Sequence, residues 1–321
     1  MINDIRNTVL AVLNKNNYGY ISPQDFNLYA QQAQMGLFED YFYAYNYQIN
    51  KENQRTSGVD YADIKKGYEE VIDFFSVTRG LTQNFQNIYF TPSTVTTGSD
   101  YYLINKVMVY QNVLSEGTTT ASVGAGNKLV DDQASFIGVI SAGDIVGLNT
   151  SNNYIEYVTV TLVESATELI TTGTNLWNQA GLKYSIFKKT SKLEVADQVS
   201  HSKIDLLSNS IYTSPTLLFP AYTSEDINLT VFPDTVDAVG QVKSQYIRYP
   251  KIPKWTYVDL GTDSEPVFDP SQPDYQDFEL FPDDATDLTM KILQYAGVSI
   301  REASVVQYAG AAEASETNSE K

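Results

Sequence analysis

The sequence predicts an α+β fold, with an N-terminal helical hairpin region and C-terminal helices flanking a central β-rich domain. Three observations predict it. Apolar residues recur at three-to-four spacing through the first eighty residues. From about Gly80 the texture shifts to period-two alternation among Thr, Ser, Gly and Asn. Helical spacing then resumes near Asp284. The expected segments are 1–80, helical; 81–258, β-rich; and 259–321, an acidic arm, C-terminal helices and a mobile tail.

Ile2, Ile5, Val9 and Leu13 form one apolar stripe and predict the first helix. After Pro23 a longer pattern follows, Phe26, Ala30, Ala33, Leu37, Tyr41 and Ala44. Its second half, FEDYFYAYNY, carries rings all round, so several neighbours or another subunit should cover it. Tyr41 and Tyr45 are therefore candidate subunit-interface residues. A third helix is predicted from Asp60 to Phe75, on Ile64, Tyr68, Val71, Ile72 and Phe75.

Strands are predicted at 101–111, 154–163 and 183–189 by alternation and β-branched content. Residues 227–233 and 242–250, each stopped by a proline, are expected to pair as an antiparallel ribbon. Residues 192–207 are ambiguous and leave room for a short helix, and 118–127 reads as a loop. Residues 259–287 hold ten acidic residues, four prolines and no Lys or Arg, which predicts an extended arm along the surface. Leu288, Ile292 and Leu293 start a last helix that Gly297 should interrupt, and the polar end beyond Gly310 is expected to be mobile.

The chain has 321 residues, 42% of them apolar, enough for one large or several modest cores. No apolar run approaches the ~18 residues of a membrane span. The N-terminus reads as an amphipathic helix instead of a signal peptide, since it lacks a small-residue cleavage site. Cysteine is absent, which removes disulfides, thiol nucleophiles and thiolate metal sites. Tyrosine is abundant, with 24 residues, and suits β-domain cores and subunit contacts alike. A net charge of −18 opposes the phosphate backbone of nucleic acid, so DNA would pass such a surface without being held.

Residues 14–26, NKNNYGYISPQDF, have the outline of a calcium loop, with Gly19 and Ile21 well placed. The ligands are poor: Tyr18 stands at the fifth position and Asp25, one methylene short of the usual Glu, at the twelfth. One carboxylate offsets too little of a divalent charge. The same letters serve a metal-free turn, with Gly19 ending one helix, Ser22 capping the next and Pro23 opening it.

No catalytic constellation stands out. His201 is the only histidine, and Ser200 and Ser202 are merely its neighbours in sequence. The acidic pairs Asp131–Asp132 and Asp283–Asp284 read as solvated, whereas an acid catalyst needs an apolar pocket. Phosphate-cradling glycine motifs and nucleophile elbows are missing. No enzyme activity, cofactor or metal is expected.

Charge is unevenly placed. Lys243, Arg248, Lys251 and Lys254 lie in 238–258 without an acidic residue, and the acidic arm follows at once. The short span and stiff prolines disfavour direct fold-back, so one copy's basic block is expected to meet the next copy's arm, as in a ring. Two independent solvated faces explain the letters equally well. Candidate interface residues here are Arg248, Lys251, Lys254, Trp255, Asp274, Asp277 and Glu279.

The opening IRNTVLAVLNKNNYGYISPQDFNLYAQQAQMGLFEDYFYAYN resembles virion structural proteins of tailed bacteriophages, particularly the crAss-like phages. YIRYPKIPKWTYVDL and DFELFPDDATDLTMKILQYAGVSIRE are similar to the C-terminal part of that group. The resemblance covers about the first and last eighty residues, not the β-rich middle. It implies a homo-oligomeric ring, commonly twelvefold: a head-to-tail connector below the portal at the virion's portal–tail vertex, made in the host cytoplasm. Such a ring extends the DNA channel, docks the tail, and has the portal protein and neighbouring rings as partners. The alternative from another class is a β-domain host-surface binding or tail-fibre protein.

Overall fold

The computed structural model describes residues 1–14, 21–54, 64–120, 127–150, 154–172, 180–259, 266–299, 307 and 310–311. In chain order the helices are α1 (Ile2–Asn14), α2 (Pro23–Gln54), α3 (Ile64–Phe74), α4 (His201–Ser208) and α5 (Ala285–Ser299). The strands are β1 (Ser76–Gly80), β2 (Gln83–Phe85), β3 (Ile88–Phe90), β4 (Tyr101–Tyr110), β5 (Val113–Thr118), β6 (Lys128–Val130), β7 (Ile145–Asn149) and β8 (Ile155–Val163). They continue as β9 (Glu168–Thr171), β10 (Lys183–Phe187), β11 (Leu193–Gln198), β12 (Ala221–Glu225), β13 (Asn228–Phe232), β14 (Val242–Arg248), β15 (Tyr257–Val258) and β16 (Val267–Phe268). The α+β class with a β-rich centre is what the alternating and helical periodicities predict. Among the described residues no helix is long and apolar enough to cross a membrane.

The chain forms two compact units, Met1–Phe74 with Pro250–Lys321, and Phe75–Tyr249. These limits fall short of the expected 80/81 and 258/259 divisions for a physical reason at each end. β1 pairs along β14 from Ser76↔Ile247 to Gly80↔Lys243, which draws it into the sheet. Trp255 is hydrogen-bonded to α1 and α2, which draws the chain after Pro250 into the helical unit.

In the helical unit α5 packs against both α1 and α2, and α2 also packs against α3. Ile2, Ile5, Val9 and Leu13 bury the stripe of α1, and Phe26, Ala30, Ala33 and Leu37 that of α2. Ser22 opens α2 as its cap: the Asp25 amide donates to Ser22 Oγ at 3.1 Å and the Phe26 amide to the Ser22 carbonyl at 2.9 Å. Ser22 Oγ in turn donates to Asp25 Oδ2 at 2.7 Å. The rest of the calcium-like loop, 15–20, lies outside the described residues, as do 60–63 of the third helix's expected start. The aromatic second half of α2 is not covered all round, because Tyr43 and Tyr47 stay exposed while Phe38 is buried. Gly297 does not interrupt α5, which runs on to Ser299. A glycine inside a helix costs about 1 kcal/mol relative to Ala, which packing readily offsets.

The β unit is one 14-stranded sheet ordered β2-β3-β13-β12-β11-β4-β14-β1-β8-β7-β10-β5, with β6 joined through β9 to β8. All its pairs are antiparallel except β11 with β12. Two clusters fill its core. One gathers Phe136, Val146, Val158, Leu169, Tyr184 and Ile186, and the other Leu81, Tyr89, Val107, Leu229, Val231 and Val242. The expected ribbon of 227–233 with 242–250 does not form. β13 pairs with β12 and β3, and β14 lies between β4 and β1. A two-residue turn at Asp226, with φ 48°, returns β13 directly onto β12, so both edges of β13 are taken before β14 begins. The ambiguous 192–207 segment divides into a strand, β11, and a short helix, α4.

Candidate self-association surface

The residues expected at a subunit contact are engaged inside their own units. Trp255 is buried at 1% exposure, its indole Nε1 donating to Asn3 Oδ1 at 3.1 Å. Its amide donates to Asn27 Oδ1 at 2.8 Å, and Asn27 Nδ2 donates to its carbonyl at 3.1 Å. The Arg6 guanidinium lies 3.8 Å above the indole, and Tyr257 and Phe268 stack beside it. One side chain thus ties α1, α2 and the β15–β16 ribbon together.

The acidic arm folds back on Lys251 and Lys254 of the same chain, although its short span and stiff prolines are expected to disfavour this. Lys254 Nζ pairs with Asp274, and Lys251 Nζ lies 3.7 Å from Glu279. The physical reason is main-chain register. Lys254 and Gln276 exchange backbone hydrogen bonds of 2.8 and 3.3 Å. Gln34 bridges both arms, donating to the Lys251 carbonyl at 2.8 Å and accepting from the Glu279 amide at 3.1 Å. Asp277 accepts from the Ile2 nitrogen at 2.8 Å, supplying a capping carboxylate to α1 from far along the chain. The arm is a clamp on the helices.

Tyr41 donates to Asp284 at 2.5 Å, and Asp284 also accepts from the Phe281 amide at 3.0 Å. Burial pushes both the Tyr41 hydroxyl and the Asp284 carboxyl above their ordinary values. Tyr45 donates to Glu69 at 3.1 Å. In the β unit, Arg248 donates to the Tyr249 carbonyl at 3.2 Å and lies over the Phe75 ring. Lys243 is boxed by aromatics, 2.8 Å from the Tyr110 hydroxyl and 3.7 Å from the Tyr157 ring centroid. Burial lowers its pKa.

The expected solvation of the acidic pairs holds for Asp132 and Asp283, which are exposed, and is corrected for Asp131 and Asp284. Asp131 is buried and accepts from Tyr184 at 2.6 Å and from the Gln133 amide at 2.9 Å. Asp284 is half-buried. His201 Nε2 lies 3.1 Å from the Ser224 carbonyl, while Ser200 and Ser202 hydroxyls lie 3.4 Å from each other. No imidazole–hydroxyl pair is among these contacts.

What the sequence reading passed over is the stretch between α4 and β12. Residues 206–224 carry no charged side chain in a chain of net charge −18. Ile211 is 95% exposed and Tyr212 98%, and Leu206, Leu218 and Phe219 are 61–79% exposed. Together the five expose on the order of 500 Å² of apolar surface, taking about 150–250 Å² for each aromatic, as much as the largest patch of a lone monomer. The segment is ordered by its own turns. Ser214 donates to the Ser210 carbonyl at 3.0 Å, and Thr216 and Phe219 exchange bonds of 3.2 and 3.0 Å. Ile204 is buried, Leu217 packs on the second core cluster, and Gln111 Nε2 donates to the Leu217 carbonyl at 3.2 Å. The base is anchored and the apolar tips stand in water. An uncharged run between a helix and a strand was the available signal; the exposure of its apolar members was not.

No family model matches this chain, and no curated protein matches it.

Proposed function

We propose that this chain is a structural virion protein, without catalytic function, that assembles into a homo-oligomeric ring. In this reading the ring is a head-to-tail connector below the portal at the portal–tail vertex, twelvefold as its phage resemblance implies. It extends the DNA channel, docks the tail, and touches the portal protein and neighbouring rings. The observation that carries it is the exposed, uncharged apolar segment 206–219 on a strongly acidic protein. Such a patch costs solubility unless another surface covers it. The charge of −18 supports a channel wall that repels DNA.

Native mass measurement of the purified protein, alone and mixed with the portal protein, tests the reading. A large closed oligomer, alone or templated by the portal, is the expected result, and a monomer under both conditions ends it. A host-surface binding role is the second reading, favoured by the same exposed Tyr212 and Phe219 on a β unit. A trimer that adsorbs to host cells would select it.

A further inference from the structure

We infer that the segment 206–219 is a knob that inserts into a second copy of this chain, in a head-to-tail contact. The inference rests on the ring reading and names the element that makes the ring. Exposures of 95% for Ile211 and 98% for Tyr212 approach those of an extended chain, so these side chains touch almost nothing of their own unit. They form a projection. Projections meeting their own image bury only their tips, whereas binding energy concentrates where an anchor is surrounded by a pocket. A knob therefore calls for a different surface on its partner. Contacts of that kind are heterologous and close into rings when the rotation allows.

Charge chooses the occupant. A basic partner would gain most from the acidic surface that dominates this protein, and an uncharged patch offers it nothing extra. Neutral ground is what a like-charged partner needs, because elsewhere two surfaces of net charge −18 repel. A second copy is the acidic partner always present at matching concentration. The main-chain ordering cost is already met: the turns at Ser210–Ser214 and Thr216–Phe219 hold the backbone of the segment in place before contact.

Two measurements on the full chain test this. The double variant Ile211→Asp, Tyr212→Asp adds like charges to the knob and touches no core residue. Its self-association should weaken at least a hundredfold, with its unfolding midpoint unchanged. If the wild type forms a large oligomer and the variant forms the same one, the knob inference fails while the ring reading stands. If the wild type is monomeric with and without portal protein, both fail. In the second measurement a photo-crosslinking residue, Tyr212→p-benzoylphenylalanine, should join a second copy at a peptide outside 206–219. Crosslinks confined to 206–219 of the partner would overturn the head-to-tail geometry. Flotation with phosphatidylcholine vesicles in place of self-association would overturn the choice of occupant.

Discussion

The helical unit and the β unit dispose of their awkward side chains in opposite ways. In the helical unit the groups that look like docking material are consumed internally. Trp255 is buried, the lysines at 251 and 254 meet Glu279 and Asp274 of the same chain, and Asp277 caps α1. Its exposed rings, such as Tyr43, stand among the charges of Glu39 and Asp40. In the β unit residues 206–224 carry no charge, and Leu206, Ile211, Tyr212, Leu218 and Phe219 among them are exposed. The difference teaches that neither charge blocks nor aromatic content marks an interface by itself. In the reading proposed above it is marked by apolar groups whose own chain provides little cover.

The strongest way to break the contrast is to remove the keystone of the helical unit. Trp255→Ala should cost about 3–5 kcal/mol, because it leaves a cavity and takes the indole donor away from Asn3 Oδ1, while the main-chain bonds to Asn27 remain available. Far-ultraviolet circular dichroism during denaturant unfolding should show helix lost before strand. A single cooperative transition at the wild-type midpoint would refute the keystone role.

In the β unit the comparable pin is Asp131 with Tyr184, over Gly117. A Cβ at residue 117 would lie 2.3 Å from Asp131 Oδ2 and 2.6 Å from the Tyr184 hydroxyl. Gly117→Ala should therefore destabilise by about 1–3 kcal/mol, the usual range for overpacking, with the strand signal responding first. Wild-type stability in that variant would mean the pin yields freely.

Alkaline pH should act more gently and on both units, since burial raises the Tyr41 hydroxyl of the helical unit as well. Burial pushes the hydroxyls of Tyr89, Tyr157 and Tyr184 above their ordinary value. A folded value above the unfolded one means stability is fully present below pH about 10 and lost as pH rises past it. Lys243 acts the other way: its lowered folded value adds stability as pH climbs toward about 10.4, where the unfolded lysine gives up its proton. Tyrosinate absorbance near 295 nm should then appear in two phases, exposed residues first and the buried set together with unfolding. A single early phase would show the rings to be accessible.

Smaller still is the effect of the clamp's ion pairs. Lys254→Glu should leave the unfolding midpoint almost unchanged, since both partners in that pair are half-exposed and screened by water, and it should leave the oligomer intact. Loss of assembly in that variant would restore the idea of a charged contact between copies. Smallest is Glu156→Gln. The Oε2 atom of Glu156 is buried without a partner, and burial raises its carboxyl pKa. A raised folded value withdraws stability as pH rises through it, so the Gln variant should melt slightly higher at pH 7. That gain should vanish at pH 4 and below, where both forms are neutral; a gain independent of pH would point to packing instead.

By itself the sequence determined the local elements and one face of each. The stripe Ile2, Ile5, Val9, Leu13 is buried as its spacing requires, and Ser22–Pro23–Asp25 caps α2 as its chemistry requires. Alternation placed β4, β8 and β10 to within a residue or two. These are short-range matters, decided by periodicity and by hydrogen bonds a few residues long. Only the tertiary structure decided who pairs with whom. β13 and β14 were equally good partners by composition, yet the turn at Asp226 gave β13 to β12. Lys251 and Lys254 found their carboxylates in cis because Gln34 and the Lys254–Gln276 bridge align the two arms. Leu217 and Phe219 are two residues apart in an uncharged run, and one packs on a core while the other faces water. Burial is a sum over neighbours distant in the chain, and pattern along the chain does not contain that sum.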